Sequence, residues 1–195
     1  MSKLTKALVA FAFIATQALA INPSNALPNL TTKQISNVKA LFTAFATSDP
    51  DKIAAASVKY TKAGSAARNF AEMVKNNHAT IRYFKSINAF GMPSGLAVTT
   101  EIKGKSTLSG SSVTLNSVND AFDGKFSDFT FDSAGKISNF KVATSAGKSA
   151  EKVSDRIFAI KQTETAGAMF VTGGFVYKQP DAKTFVQLQV KNNSV

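Results

Sequence analysis

Four aspartates fall close together, Asp120, Asp123, Asp128 and Asp132. Carboxylates at such spacing could gather a cation or serve as a general base. A calcium loop requires Asp-x-Asp-x-Asp-Gly with a later Glu, and these positions do not fit it. Asp123 precedes Gly124 and Asp132 opens the run to Gly135, so both read as turn residues. Asp120 and Asp128 are left as general-base candidates. His78 is the only histidine. It follows the expected end of a helix, where its cation would meet the helix's negative pole; a catalytic role stays open beside that structural one. The chain has no cysteine and no second histidine, so neither a zinc site of the usual ligands nor a thiol nucleophile can be built. A serine triad would need His78 as its base, and no Gly-x-Ser-x-Gly elbow accompanies it. Ala146-Gly147-Lys148-Ser149 resembles the end of a phosphate-binding loop, but Val142 stands where that loop needs its first glycine. No cofactor is implied.

The elements that must position these residues begin with helices. Thr31 and Gln34 form a capping box, and Ile35, Val38, Leu41, Phe42 and Phe45 recur at helical spacing. Asp49-Pro50 starts a second helix with Ile53 to Ala56 as its body. Val58-Lys59-Tyr60 reads as a short extended piece. Ser65 caps a third helix whose stripe is Phe70, Met73 and Val74 and whose end is Asn76-Asn77. From His78 the period changes to that of a strand, with Ile81, Tyr83, Ile87 and Ala89 on one face. Gly91 to Gly95 is a turn, and Leu96 to Ile102 a second strand. Gly104 to Ser112 reads as a turn or ragged edge, Val113 to Phe122 as a third strand, and Asp123-Gly124 as a two-residue hairpin signal.

The stretch Gly124 to Val142 then repeats itself. Gly-Lys-Phe-Ser-Asp-Phe-Thr-Phe is followed by Gly-Lys-Ile-Ser-Asn-Phe-Lys-Val. Two strands joined by Asp132 to Gly135 pair Phe131 with Lys136 and Phe129 with Ser138. That register sets Phe129, Phe131, Phe140 and Val142 on one face. A loop longer by one residue would turn the second pair to the opposite side. Asp128 lies opposite the phenylalanine face. Helices before a run of strands indicate an α+β fold, with N-terminal helices packed on an antiparallel sheet.

This order resembles the nuclear-transport-factor-2-like superfamily over Thr31 to Thr144, in its element order and in the closing hairpin Phe129 to Val142. Lys62 to Met73 and Phe126 to Phe140 are also similar to an uncharacterised group of secreted actinobacterial proteins. The superfamily resemblance implies a cone of curved sheet wrapped against the helices. In its enzymes an acid with a Tyr or His lines the cone, which makes Asp128, Asp120, Tyr83 and His78 catalytic candidates. By the same analogy Tyr60, Arg68 and Tyr83 are candidates to line a ligand pocket.

After Ala143 the composition changes. Residues 145–154 are small and polar and read as a linker, and 155–195 as a β-rich segment. In Thr184 to Lys191, Phe185, Gln187 and Gln189 alternate with Val186, Leu188 and Val190. Val186 to Ser194 is similar to a strand of an immunoglobulin-like sandwich. A full sandwich needs about 100 residues, so two arrangements are open. Either a remainder follows Val195, or these strands pack back on the first domain.

The first 20 residues read as an export signal. Lys3 and Lys6 precede the apolar run Ala7 to Ala15, and Ala18-Leu19-Ala20 is a cleavage pattern. Residues 21–30 form a linker. The apolar run is too short for a spanning helix, and none is expected after cleavage. The expected location is secreted, periplasmic or in the cell envelope. An exported chain without cysteine must be held by packing alone; 44% hydrophobic residues and 16 Phe suit that. The net charge is +11, of which +9 remains without Lys3 and Lys6. The lysines are dispersed and without interleaved aromatics, so they imply weak attraction to anionic polymers and no dedicated nucleic-acid site. The composite expectation is a non-catalytic exported protein that binds an apolar small molecule or an envelope partner. Two alternatives accompany it: a protein held to the envelope by its basic charge, and an isomerase- or cyclase-type enzyme with an Asp base.

Overall fold

The computed structural model describes residues 30–47, 49–86, 105–109, 112–116, 122–143, 149–161, 164–166, 169–180 and 183–192. The expected export signal, most of the expected first linker, Ile87 and Ala89, the stretches Gly91–Gly95 and Leu96–Ile102 expected as a turn and a strand, Asp120 and Gly147-Lys148 lie outside them.

Three helices come first: α1, Thr32–Phe45, α2, Pro50–Tyr60, and α3, Ala66–Ser86. The α1 capping box is present: Gln34 N donates to Thr31 Oγ1 at 3.2 Å, and Thr31 N donates to Gln34 Oε1 at 2.8 Å. Asp49 Oδ1 caps α2 by accepting from Asp51 N at 3.0 Å, with Pro50 in the first turn. The stretch Val58-Lys59-Tyr60 is the last turn of α2, not an extended piece. Ile53, Ala56 and Ser57 are buried at helical spacing, and that packing overrides the weak preference of one β-branched residue. Thr61 closes the helix by donating Oγ1–H to Ser57 O at 2.7 Å.

Ser65 does cap α3, accepting from Arg68 N at 3.2 Å. The helix does not stop at Asn76-Asn77, however, and no strand begins at His78. Ala67, Phe70, Ala71, Val74 and His78 are all buried, at steps of three and four residues, so the stripe runs through the asparagines. An asparagine inside a helix costs only about 0.7 kcal/mol relative to alanine. Arg82 and Tyr83 are exposed on the far turn, where Arg82 reaches Asp51 at 2.9 Å.

The first sheet is an antiparallel meander of β1, Lys105–Ser109, β2, Ser112–Asn116, β3, Gly124–Phe131, β4, Ile137–Ala143, and β5, Glu151–Lys152. Lys105–Ser109, read as a turn, is thus a strand, paired with β2 from Ser109↔Ser112 to Lys105↔Asn116. Asp123-Gly124 is not a tight hairpin either. Gly124 already sits in β3 opposite Leu115. Its glycine is required by close approach, since a Cβ would lie 2.8 Å from Ala143 O.

The repeated octets form β3 and β4, with a register one residue from the expected one. Phe131 faces Ile137, not Lys136. The longer connection should have divided the aromatic rows, and two bulges prevent it. Ser127 faces Lys141 while Thr130 faces Asn139, so β3 carries one extra residue between them; β4 carries the compensating one, Ser138, between Ile137 and Asn139. Asp128, at φ 50°, is the only described non-glycine residue at positive φ, and aspartate tolerates that region better than most. The result brings Phe126, Phe129, Phe140 and Val142 into one core, with Phe131 partly buried beside them. Phe42 of α1 stacks against Phe126, Phe129 and Phe140 at centroid separations of 4.8, 5.8 and 5.9 Å.

A second antiparallel sheet holds β6, Ile157–Ile160, β7, Glu164–Ala166, β8, Met169–Lys178, and β9, Thr184–Asn192. The chain is therefore α+β, with its helices N-terminal, strands following, and an all-strand sheet at the C-terminal end. That last sheet packs back on the helices. Tyr177 is buried against Phe70 at 5.4 Å, and Phe185 meets Phe122 at 5.4 Å. Between the sheets, Arg156 Nη1 donates to Lys178 O and Gln179 O at 2.9 and 3.0 Å, while Nη2 pairs with Glu151.

Candidate functional site

Arg68 is committed to the end of α2. Its Nε donates to Thr61 Oγ1 at 2.6 Å, and Nη2 donates to Thr61 O at 3.0 Å and Val58 O at 3.3 Å. Lys136 Nζ also donates to Val58 O, at 3.2 Å. Two cations thus satisfy carbonyls that a helix end leaves open. Tyr60 is half-buried there, with the Lys59 ammonium 5.2 Å from its ring centroid. Arg68 and Tyr60 are brought together at this corner, in a structural arrangement.

The remaining candidates lie apart from it. His78 is ten residues further along α3, roughly 15 Å up the axis. It is 3% exposed, its Nε2 has no hydrogen-bond partner, and burial lowers its pKa. Tyr83 is 59% exposed and stands a further five residues on. Asp128, on the β3 bulge, points to solvent and pairs with Lys141 at 2.7 Å. Among the described residues no three His, Cys, Asp or Glu side chains gather to hold a metal ion, and no helix is long and apolar enough to cross a membrane.

What the structure does assemble is an apolar surface on the C-terminal sheet. Cross-strand rows place Phe158 beside Val176 and Val186, Ile160 beside Gly174 and Leu188, and Val171 beside Val190. Val186, Leu188, Val190 and Phe158 are 54%, 50%, 52% and 44% exposed. A Cβ at Gly174 would overlap the Gln187 carbonyl, so β8 and β9 close tightly at that glycine. Lys178 lies over Phe158, its ammonium 5.3 Å from the ring centroid.

The alternation in β9 was plain in the sequence; the direction of its two rows was not. The wholly apolar row faces outward. In the other row Gln187 meets the helix, its Nε2 donating to Met73 O of α3 at 3.5 Å, while Gln189 is exposed. No signal in the sequence identified this surface, because the wholly apolar row Val186, Leu188 and Val190 reads as the inner one. Single residues such as Val58, 59% exposed on α2, are ordinary on any surface, whereas apolar neighbours in register on one face form a patch. No protein-family model matches the chain, and neither a curated protein nor a solved structure matches it.

Proposed function

We propose that this is an exported, non-catalytic interaction protein that docks a partner through the outward face of its C-terminal sheet. The observation that carries the reading is the outward row Val186, Leu188 and Val190, adjoined by Phe158. Exposed apolar side chains in adjacent rows mark an interaction surface more often than chance scatter does. The dispersed catalytic candidates favour binding over chemistry, because general-base catalysis needs its groups within hydrogen-bond reach of one substrate. The helix-first, meander-second order supports the nuclear-transport-factor-2-like resemblance of Thr31–Thr144 as a scaffold.

The test is retention of the full chain on an isolated cell-envelope fraction. Leu188→Lys should lose retention while its melting temperature stays within a few degrees of the parent. If retention instead falls only with added salt and ignores Leu188→Lys, the apolar face is not the contact. The basic charge would then carry envelope association.

A further inference from the structure

The edge of β9 is a second surface, distinct from the outward face and independent of what that face docks. β9 pairs with β8 along its whole length, from Lys178↔Thr184 to Met169↔Asn192. β6 and β7 both pair with the opposite edge of β8, and no described strand pairs with the far edge of β9. Such an edge presents a row of backbone donors and acceptors, which proteins usually blunt with proline, a bulge or charge. β9 holds no proline, glycine or acidic residue, and its one charged residue, Lys191, stands next to its end.

The strand also reads the same in both directions about its midpoint. Its nine residues are centred on Leu188, and Val186-Gln187-Leu188-Gln189-Val190 is a palindrome. A two-fold contact sets residue i against j and j against i. With two β9 strands antiparallel and the axis at Leu188, Leu188 faces its own copy, Val186 faces Val190, Gln187 faces Gln189, Phe185 faces Lys191 and Thr184 faces Asn192. Directly opposite residues share a face of the sheet, so apolar meets apolar on the outward side and amide meets amide on the other. We infer that a second copy of this chain pairs with the free edge of β9, antiparallel and about Leu188, joining the two C-terminal sheets into one. Backbone pairing would supply the affinity. Moving the axis to Gln187 would put Lys191 directly across from Lys183, and like charges so placed are unfavourable; about Leu188 the two meet only diagonally, in water. Moving it to Gln189 would carry Thr184 and Phe185 past the end of the other strand. A partner of different sequence would not require β9 to match itself.

The chain has no cysteine, so single introduced cysteines report the register. Opposed Cα atoms lie about 4.5–5.5 Å apart, within the reach of a disulfide. Leu188→Cys should therefore give a disulfide-linked dimer on mild oxidation. Val190 is as exposed as Leu188 on the same face, but Val190→Cys would lie roughly 14 Å from its own copy and should stay unlinked, as should Val186→Cys. Mixed together, the Val186→Cys and Val190→Cys chains should link to each other. The parent chain should sediment as a monomer–dimer equilibrium that shifts to dimer with concentration, and the dimer should tighten as salt screens the repulsion between two basic chains. A parent that stays monomeric throughout overturns the pairing. Equal linking of Leu188→Cys and Val190→Cys overturns it too, because stacked faces and not paired edges would produce that. So does a dimer that loosens with salt, since the paired edges hold no acidic residue. A monomer whose envelope retention still depends on Leu188 removes the dimer alone and keeps the interaction reading.

Discussion

The two sheets use the same alternation and meet opposite fates. In β3 and β4 the apolar row is roofed by α1 and α3, and Phe126, Phe140 and Val142 are at most 1% exposed. In β9 the wholly apolar row is bare, while its mixed row meets α3 through Gln187. Hydrophobic side chains on a strand therefore do not decide which face is inside. The available cover decides, and among the described residues the helices meet the second sheet on the face of Tyr177 and Gln187. The first sheet is a core wall, and the second presents a surface.

The largest expected effect tests whether these two regions are one folding unit. Phe70 touches Phe45, Phe122, Phe126 and Phe140, and also Tyr177 of the second sheet. Phe70→Ala should cost about 3–5 kcal/mol, measured by urea unfolding. A common core predicts one transition for both sheets, displaced to lower denaturant. Two transitions, with only one displaced, would divide them. Next in size is Gly124→Ala. Its methyl would sit 2.8 Å from the Ala143 carbonyl, so β3 and β4 must separate, at about 1–3 kcal/mol. An unchanged melting temperature would mean that this edge of the first sheet yields easily.

His78 gives the comparison a pH axis. Burial lowers its folded pKa below the ordinary value near 6.5. Above that pH both the folded and unfolded states hold it neutral, and the stability of the neutral, buried ring is fully present. As pH falls below about 6.5 the unfolded chain takes up a proton first. Stability then declines by up to about 1.4 kcal/mol per pH unit, until the folded pKa is passed. His78→Leu should flatten that decline in urea midpoints taken between pH 7 and pH 5. A decline of the same slope in the variant would assign it to other groups.

Local chemistry was legible where one residue type answers one backbone need. The Thr31/Gln34 box, the Asp49-Pro50 start, the Ser65 cap and the Asp132 turn were all readable, the last with Asp132 Oδ1 accepting from Ala134 N and Lys136 N at 3.0 and 2.8 Å. The aromatic wall was readable too, although its register was not, because a bulge at Asp128 depends on tertiary demand for Phe126 and Phe129 together. The second half of α3 was hidden for a related reason. Ile81 and Tyr83 suit period two as well as a helical turn, and only the burial of His78 four residues after Val74 decides between them. Of the candidate residues, Arg68 was named only by analogy to the superfamily, and its hydrogen bonds to Thr61 and Val58 at the end of α2 depend on a helix–helix contact that no local pattern announces. The outward face of β9 was invisible in kind, since a sequence lists both rows and names neither as the inner one.

The smallest effect on stability is the sharpest test of the contrast. Leu188 is 50% exposed and Val142 is fully buried, yet both lie in apolar rows of antiparallel strands. Lysine at position 188 can lay its methylene stem along Val186 and Val190 and keep its ammonium in water. Its cost should stay within about 0.5 kcal/mol, as for surface substitutions generally. Lysine at 142 would carry its charge into the phenylalanine cluster and should prevent folding at ordinary temperature. If Leu188→Lys proves as damaging as Val142→Lys, the outer face of β9 is covered in the folded chain. The two sheets would then be alike, and the surface on which both functional proposals stand would not exist.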